Sequence, residues 1–193
     1  MNPSTNETRE LLVATALTYA GTPYHWGGQS RLGVDCSGLV IQALRAIKPG
    51  HMDMNAAYMA DHYREVGEGE DRYGCAVCMA GNSGKVTHVA LIVERDVDWD
   101  NEPGCDGCPY QDGYACRCTE NNTCPIARAP DPLCIEAGRG GSADRMPDSL
   151  SGYPEWAASQ IRRGHCVEIR RLSEILARGK AVYRVVDVAG GAE

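Results

Sequence analysis

Apolar positions in the first third of the chain recur at helical spacing. Over residues 5–20, Leu11, Leu12, Thr15, Ala16 and Tyr19 share one face, and Ser4 with Glu7 three residues later has the form of a capping box. Gly21-Thr22-Pro23 ends that helix. Gly27-Gly28 and Gly33 mark a loop leading into Asp35-Cys36-Ser37-Gly38, after which Leu39, Val40, Ala43, Leu44 and Ile47 repeat with a helical period up to Lys48-Pro49-Gly50. A third helix is expected from Asp53 to about Val66, followed by a polar loop over 67–74. The period then changes. Cys75–Met79, Val86–Val93, Leu133–Ala137, Cys166–Arg170 and Val182–Val188 are short β-rich runs separated by turn residues, so a sheet of about five strands is predicted. Two helical pieces interrupt them, one after Pro154 and one over Glu174–Arg178 with Ser173 as its cap. Helices ahead of mostly adjacent strands predict an α+β domain rather than a parallel βαβ sheet.

Residues 94–132 break the pattern, being rich in Cys, Asp, Gly, Asn and Pro and poor in aliphatics. A structureless loop of this length is uncommon in a compact domain unless something ties it down. The whole chain of 193 residues, 43% of them hydrophobic, suits one domain, 1–193, with this segment as an insertion. Nineteen basic against 26 acidic residues give −7 with no Lys/Arg cluster, which speaks against a nucleic-acid partner. No stretch reaches the roughly 20 apolar residues of a membrane span, and the start lacks the basic-then-apolar pattern of a signal peptide.

Ten cysteines are many for this length, and six of them fall between Cys105 and Cys134. Cys36 stands alone where the pattern starts a helix. Thiolate is the nucleophilic form of cysteine, and the unpaired N–H groups and aligned dipoles of a helix N-terminus favour negative charge there. The same N–H groups can serve an oxyanion. A base must be brought to it by the fold, and of five histidines His88 is the best placed, at the start of the apolar run Val89-Ala90-Leu91-Ile92-Val93. His25, His51, His62 and His165 fall in loops or on a helix and read as surface residues. On spacing alone a plain alternative stands beside catalysis: Cys36 as a small buried hydrophobe and His88 as a satisfied edge residue.

A more specific signal is the string Pro23-Tyr24-His25-Trp26-Gly27-Gly28 followed by Val34-Asp35-Cys36-Ser37-Gly38-Leu39-Val40. It resembles the signature of the NlpC-type, papain-like cell-wall peptidases, in which the Asp-Cys-Ser-Gly motif opens the catalytic helix. Thr87-His88-Val89-Ala90-Leu91-Ile92-Val93 corresponds to the family's second motif, and Glu136 in Cys134-Ile135-Glu136-Ala137 stands at the position of its third, orienting polar residue. The resemblance implies N-terminal helices packed on an antiparallel sheet, Cys36 as nucleophile, His88 as base, and no catalytic cofactor. It also implies Tyr24, Asp35 and Ser37 as substrate-binding residues, and bacterial peptidoglycan as substrate, cut at an amide of the stem peptide such as γ-D-glutamyl-diamino acid. A Glu at the third position departs from the family's more usual His, Asn or Gln. Its charge would stabilise an imidazolium more strongly than an amide can; the alternative is an exposed Glu136 with a backbone carbonyl orienting His88.

The ending Ala181-Val182-Tyr183-Arg184-Val185-Val186 resembles the closing strand of the phage-tail branch. That implies a virion tail tip assembled in the host cytoplasm, with other tail-tip proteins as partners. The alternative is a structural tail-tip protein that keeps the fold and docks through its Cys-rich module. In that module, Cys105-x2-Cys108 and the closely following Cys116, Cys118 and Cys124 have the pairing of tetrahedral thiolate sites. A structural zinc held by Cys105, Cys108, Cys116 and Cys118 is the leading expectation; an iron-sulfur cluster or three disulfides are the alternatives. Cys75, Cys78 and Cys166 are expected to pack in the core.

Overall fold

The structure is a computed structural model that describes residues 5–67, 70–94, 131–138, 140 and 145–190. Ser4 of the expected capping box lies outside these residues. So do Cys105, Cys108, Cys116 and Cys118, with nearly all of the 94–132 insertion.

The chain runs α1 (Thr5–Leu17), β1 (Gln29–Ser30), β2 (Gly33–Val34), α2 (Cys36–Ile47), α3 (Ala56–His62), β3 (Ala76–Ala80), β4 (Val86–Ile92), β5 (Leu133–Ala137), α4 (Tyr153–Arg162), β6 (Val167–Arg171), α5 (Leu172–Leu176) and β7 (Ala181–Val186). Five strands form one sheet in the order β6-β5-β4-β3-β7, with every neighbouring pair antiparallel. The α+β expectation holds, and each expected sheet strand is present within two residues of its expected ends.

Strand alternation explains how the layers assemble. Cys78, Val89, Leu91, Ile135 and Val186 belong to the core shared with α1, α2 and α3, including Leu12, Val13, Leu39, Val40 and Met59. The alternate row, Val77, Met79, Ala90, Ile92 and Cys134, packs with Ile175 of α5. With both faces covered, β3 is buried along its whole length, which is why it reads as a continuous apolar run.

Three local expectations are corrected. The buried face of α1 is Thr8, Arg9, Leu12, Val13 and Ala16, whereas Leu11 is 52% exposed. Arg9 takes the inward place because its charge is met there: Nη2 donates to Asp187 Oδ2 at 3.0 Å and Nη1 to the Asp71 carbonyl at 3.1 Å. The third helix is confined to Ala56–His62, since Asn55 caps its start and the following chain turns extended to bridge Glu65 with Val186 of β7. Ser173 lies inside α5 rather than capping it. Its backbone N–H and its hydroxyl both donate to the carboxylate of Asp131, a residue remote in sequence that takes over the capping role. The two-residue hairpin of β1 and β2 was not foreseen, being too short to leave a periodic trace.

The two ends of the insertion meet at one end of the β4–β5 pair. Val93 N–H donates to the Leu133 carbonyl, Leu133 N–H donates to Glu94 Oε2, and Arg171 Nη1 donates both to Glu94 Oε2 and to the Asp131 carbonyl.

Arg9 and Asp187 are almost fully enclosed, with side chains 9% and 7% exposed, and they tie the first helix to the chain just past the last strand. Removing one partner of a buried ion pair costs about 3–5 kcal/mol, and Arg64 at 3.5 Å from Asp187 offsets part of that loss. Arg9→Met is expected to lower the unfolding free energy by about 3 kcal/mol. Urea denaturation is the check, and a change under about 0.5 kcal/mol, the range of ordinary surface substitutions, would sink the assignment.

Candidate active site

Residue 36 is placed by its neighbour. Asp35 is extended and caps α2: its Oδ1 accepts from the Gly38 N–H at 2.6 Å and from the Ser37 hydroxyl at 3.0 Å, while Oδ2 accepts from the Gly27 N–H at 2.9 Å. One carboxylate thus joins the glycine turn to the first helical turn and fixes where the helix begins. Cys36 is the first residue of α2 and is partly exposed. The approach of the two segments is close enough to demand glycine. A Cβ on Gly38 would stand 2.0 Å from the Gly28 carbonyl oxygen, which is the physical content of the paired Gly-Gly and Cys-Ser-Gly motifs.

His88 comes from the third residue of β4 and is 8% exposed. The register that pairs Leu91 with Ile135 makes His88 and Glu136 diagonal neighbours on the same sheet face. His88 Nε2 meets Glu136 Oε2 at 2.6 Å, which leaves Nδ1 as the nitrogen available to Cys36, which lines the same cleft. Burial by itself would disfavour the imidazolium. The hydrogen bonds to Cys36 and Glu136, and the negative charge of both, outweigh it and push the His88 pKa up to about 9.

Glu136 is 1% exposed and therefore not the exposed strand residue of the alternative reading. Burial would raise its pKa, but hydrogen bonds and charge from His88 and Arg178 prevail and hold it below the ordinary carboxylate value. Its Oε1 accepts from Arg178 Nη2, and Arg170 Nε stands 3.8 Å from the same oxygen. Neither arginine was anticipated. Both lie in the last stretch of chain among several other Arg residues, and nothing in their spacing distinguishes them from surface charges.

A cleft of about 590 Å³ opens over these groups. Tyr24, Asp35, Cys36, Ser37 and His88 all line it, as do Arg178 and Lys180. Tyr24 is 4% exposed and is held there by its N–H bond to the His165 carbonyl, which ties the first motif to the approach to β6. Both oxygens of Asp35 are engaged within the chain, so its direct contribution at the cleft is to hold the Cys36 turn.

The remaining histidines are half-buried and occupied rather than on the open surface. His25 Nδ1 accepts from the Met146 N–H at 2.8 Å and its ring meets Trp156 edge-on. His51 Nε2 lies 2.7 Å from the Tyr63 hydroxyl, and His62 stacks on Tyr58. Cys75, Cys78, Cys134 and Cys166 are all buried, as expected of Cys75, Cys78 and Cys166 as packing residues. Burial pushes Cys75, Cys78 and Cys134 up to about 12. Cys134 lies inside β5, whereas the other five clustered cysteines fall outside the described residues. Among the described residues no group of His, Cys, Asp and Glu is arranged to hold a metal.

Native-state alkylation with iodoacetamide at neutral pH, followed by peptide mapping, is expected to modify Cys36 while sparing Cys75, Cys78 and Cys134. Equal labelling of Cys36 and any of those three would contradict the placement.

Comparison with known proteins agrees with this geometry. Residues 21–103 match the model of the NlpC/P60 family. A dipeptidyl-peptidase 6 of Lysinibacillus sphaericus is 63% identical over 35 residues, which is 18% of this chain and 13% of that enzyme. The peptidoglycan hydrolase RipB of Mycobacterium tuberculosis superposes with a TM-score of 0.50 at 18% identity, covering 94% of this chain and 65% of that one. NlpC1 of Trichomonas vaginalis gives a TM-score of 0.52 at 14% identity, covering 96% of this chain and 45% of that one. At such identities the structural likeness establishes the fold, and the chain spans less than two thirds of the length of these relatives.

Proposed function

We propose that the chain, whose residues 21–103 match the NlpC/P60 family, is a peptidoglycan-degrading cysteine endopeptidase with Cys36 as nucleophile, His88 as general base and acid, and Glu136 as the residue that orients His88. The observation that carries this reading is that Cys36 of α2 and His88 of β4 line one cleft, with Glu136 of β5 bonded to the ring of His88 at 2.6 Å.

The geometry supports a two-stage amide hydrolysis. The Cys36 thiolate, facing the protonated His88, attacks the carbonyl carbon. The carbonyl oxygen becomes an oxyanion beside the N–H groups of the first turn of α2, where the Gly38 N–H is taken by Asp35 and those of Cys36 and Ser37 face the cleft end of the helix. Collapse of the tetrahedral intermediate breaks the C–N bond as His88 passes its proton to the leaving amine. Water then attacks the thioester with His88 taking one of its protons, the C–S bond breaks, and Cys36 is regenerated as the thiolate. No step calls for a cofactor.

The substrate in this reading is the stem peptide of peptidoglycan, cut between γ-D-glutamate and a diamino acid, with Tyr24, Asp35 and Ser37 around the peptide on the nucleophile side. Support comes from the motif around Cys36 and from the cleft those residues line. The tail-tip role, acting on the wall during genome delivery beside other tail proteins, is supported by the sequence of the closing strand Ala181–Val186. A structural zinc at Cys105, Cys108, Cys116 and Cys118 is supported by their spacing, with an iron-sulfur cluster as the competing occupant.

Two measurements test this. Digestion of purified peptidoglycan, read by mass spectrometry, is expected to release fragments ending in γ-D-glutamate, and Cys36→Ala should lower the rate by roughly three orders of magnitude or more. Fragment profiles that are the same for both proteins would end the enzyme reading. Elemental analysis of the purified protein is expected to find about one zinc per chain; absence of both zinc and iron would end the metal reading.

A further inference from the structure

Glu136 presents one oxygen to His88 and the other to Arg178, and it is 1% exposed. A carboxylate this enclosed, touching the imidazole that must carry the catalytic proton, poses a chemical problem. Once His88 is called on to give its proton to the leaving amine, a carboxylate with no other counter-charge would compete for that proton, because a dry site penalises a lone anion. The geometry points to Arg178 as a positioning residue that acts through Glu136: it anchors the carboxylate by the oxygen turned away from His88 and keeps it ionised throughout the cycle. The inference rests on the cysteine-peptidase reading and deepens it.

The surrounding charges single out Arg178 for this role. Cys36 faces His88 from α2, and Glu136 from β5. Arg170 of β6 also approaches Glu136, but it is shared with Glu168 of the same strand and with Glu174 of α5 at 3.6 Å, so its charge is largely met elsewhere. Lys180, which also lines the cleft, donates to the Thr87 hydroxyl at 3.0 Å. Arg178 follows α5 directly, and Ile175 of that helix is packed into the sheet. The guanidinium comes from the turn that leaves α5 and is 27% exposed, enclosed enough for its charge to count.

The sign of the effect is definite. Removing a cation beside the His88–Glu136 pair makes the pair hold its proton more tightly; removing the anion does the opposite. Wild-type kcat on a soluble stem peptide is expected to fall along an alkaline limb near 9, where His88 loses its proton. Arg178→Met is expected to move that limb to higher pH and to lower kcat by about tenfold with little change in KM. Glu136→Gln should move the limb to lower pH, and Arg178→Lys should bring it back toward the wild-type position. Arg178→Gln reads the same limb should the methionine variant fold poorly. A limb that coincides with wild type in the Met and Gln variants overturns the role of Arg178, as does a loss confined to KM. Activity that survives Cys36→Ala in the same assay removes the peptidase reading itself.

Discussion

The site depends on one buried carboxylate having two partners. Glu136 lies at the interior end of β5 where water does not compensate its charge, and His88 at 2.6 Å on one side and Arg178 on the other do so instead. Burial disfavours the charge on both residues; Glu136 helps hold the proton on His88, and the cations hold Glu136 below the ordinary carboxylate value. Each ionisation supports the next. The site is also built from three separate elements, so the sheet register and the packing of α5 must both be right before the chemistry can exist.

A second carboxylate works at the other end of the site by a different principle. Asp35 sits in the glycine turn and spends its oxygens on N–H and O–H donors of its own loop and helix. It fixes a backbone position rather than a protonation state. That division explains why the motif around Cys36 is dense in glycine and short polar residues, whereas His88 and Glu136 are embedded in apolar strands.

Much of this was legible in the sequence because it is encoded locally. Period and punctuation located α2 and every strand of the sheet, and the Asp-Cys-Ser-Gly string located Cys36 at the start of α2. The parts that were missed are those decided by partners distant along the chain. Arg9 reads as a surface charge until Asp187, 178 residues away, is brought to it. Ser173 reads as a cap until Asp131 is seen to take the donors first. Arg178 is one of several arginines near the end, and only the turn out of α5 points it at Glu136. Leu11 was assigned to the core on apolarity alone, and lost that place to a charge whose burial is offset by an ion pair.

The clamp at the mouth of the insertion has a consequence for how such a chain can change. Glu94 and Asp131, at the two ends of the insertion, are gathered by Arg171 and by the first rungs between β4 and β5, so the ends of the segment are held together from outside it. Closing a loop between fixed ends costs only slowly more as the loop lengthens, about 0.6 kcal/mol for each doubling. The position between β4 and β5 is therefore a socket. A lineage could exchange what is carried there, for a different surface or none, while the strands that carry His88 and Glu136 keep their register.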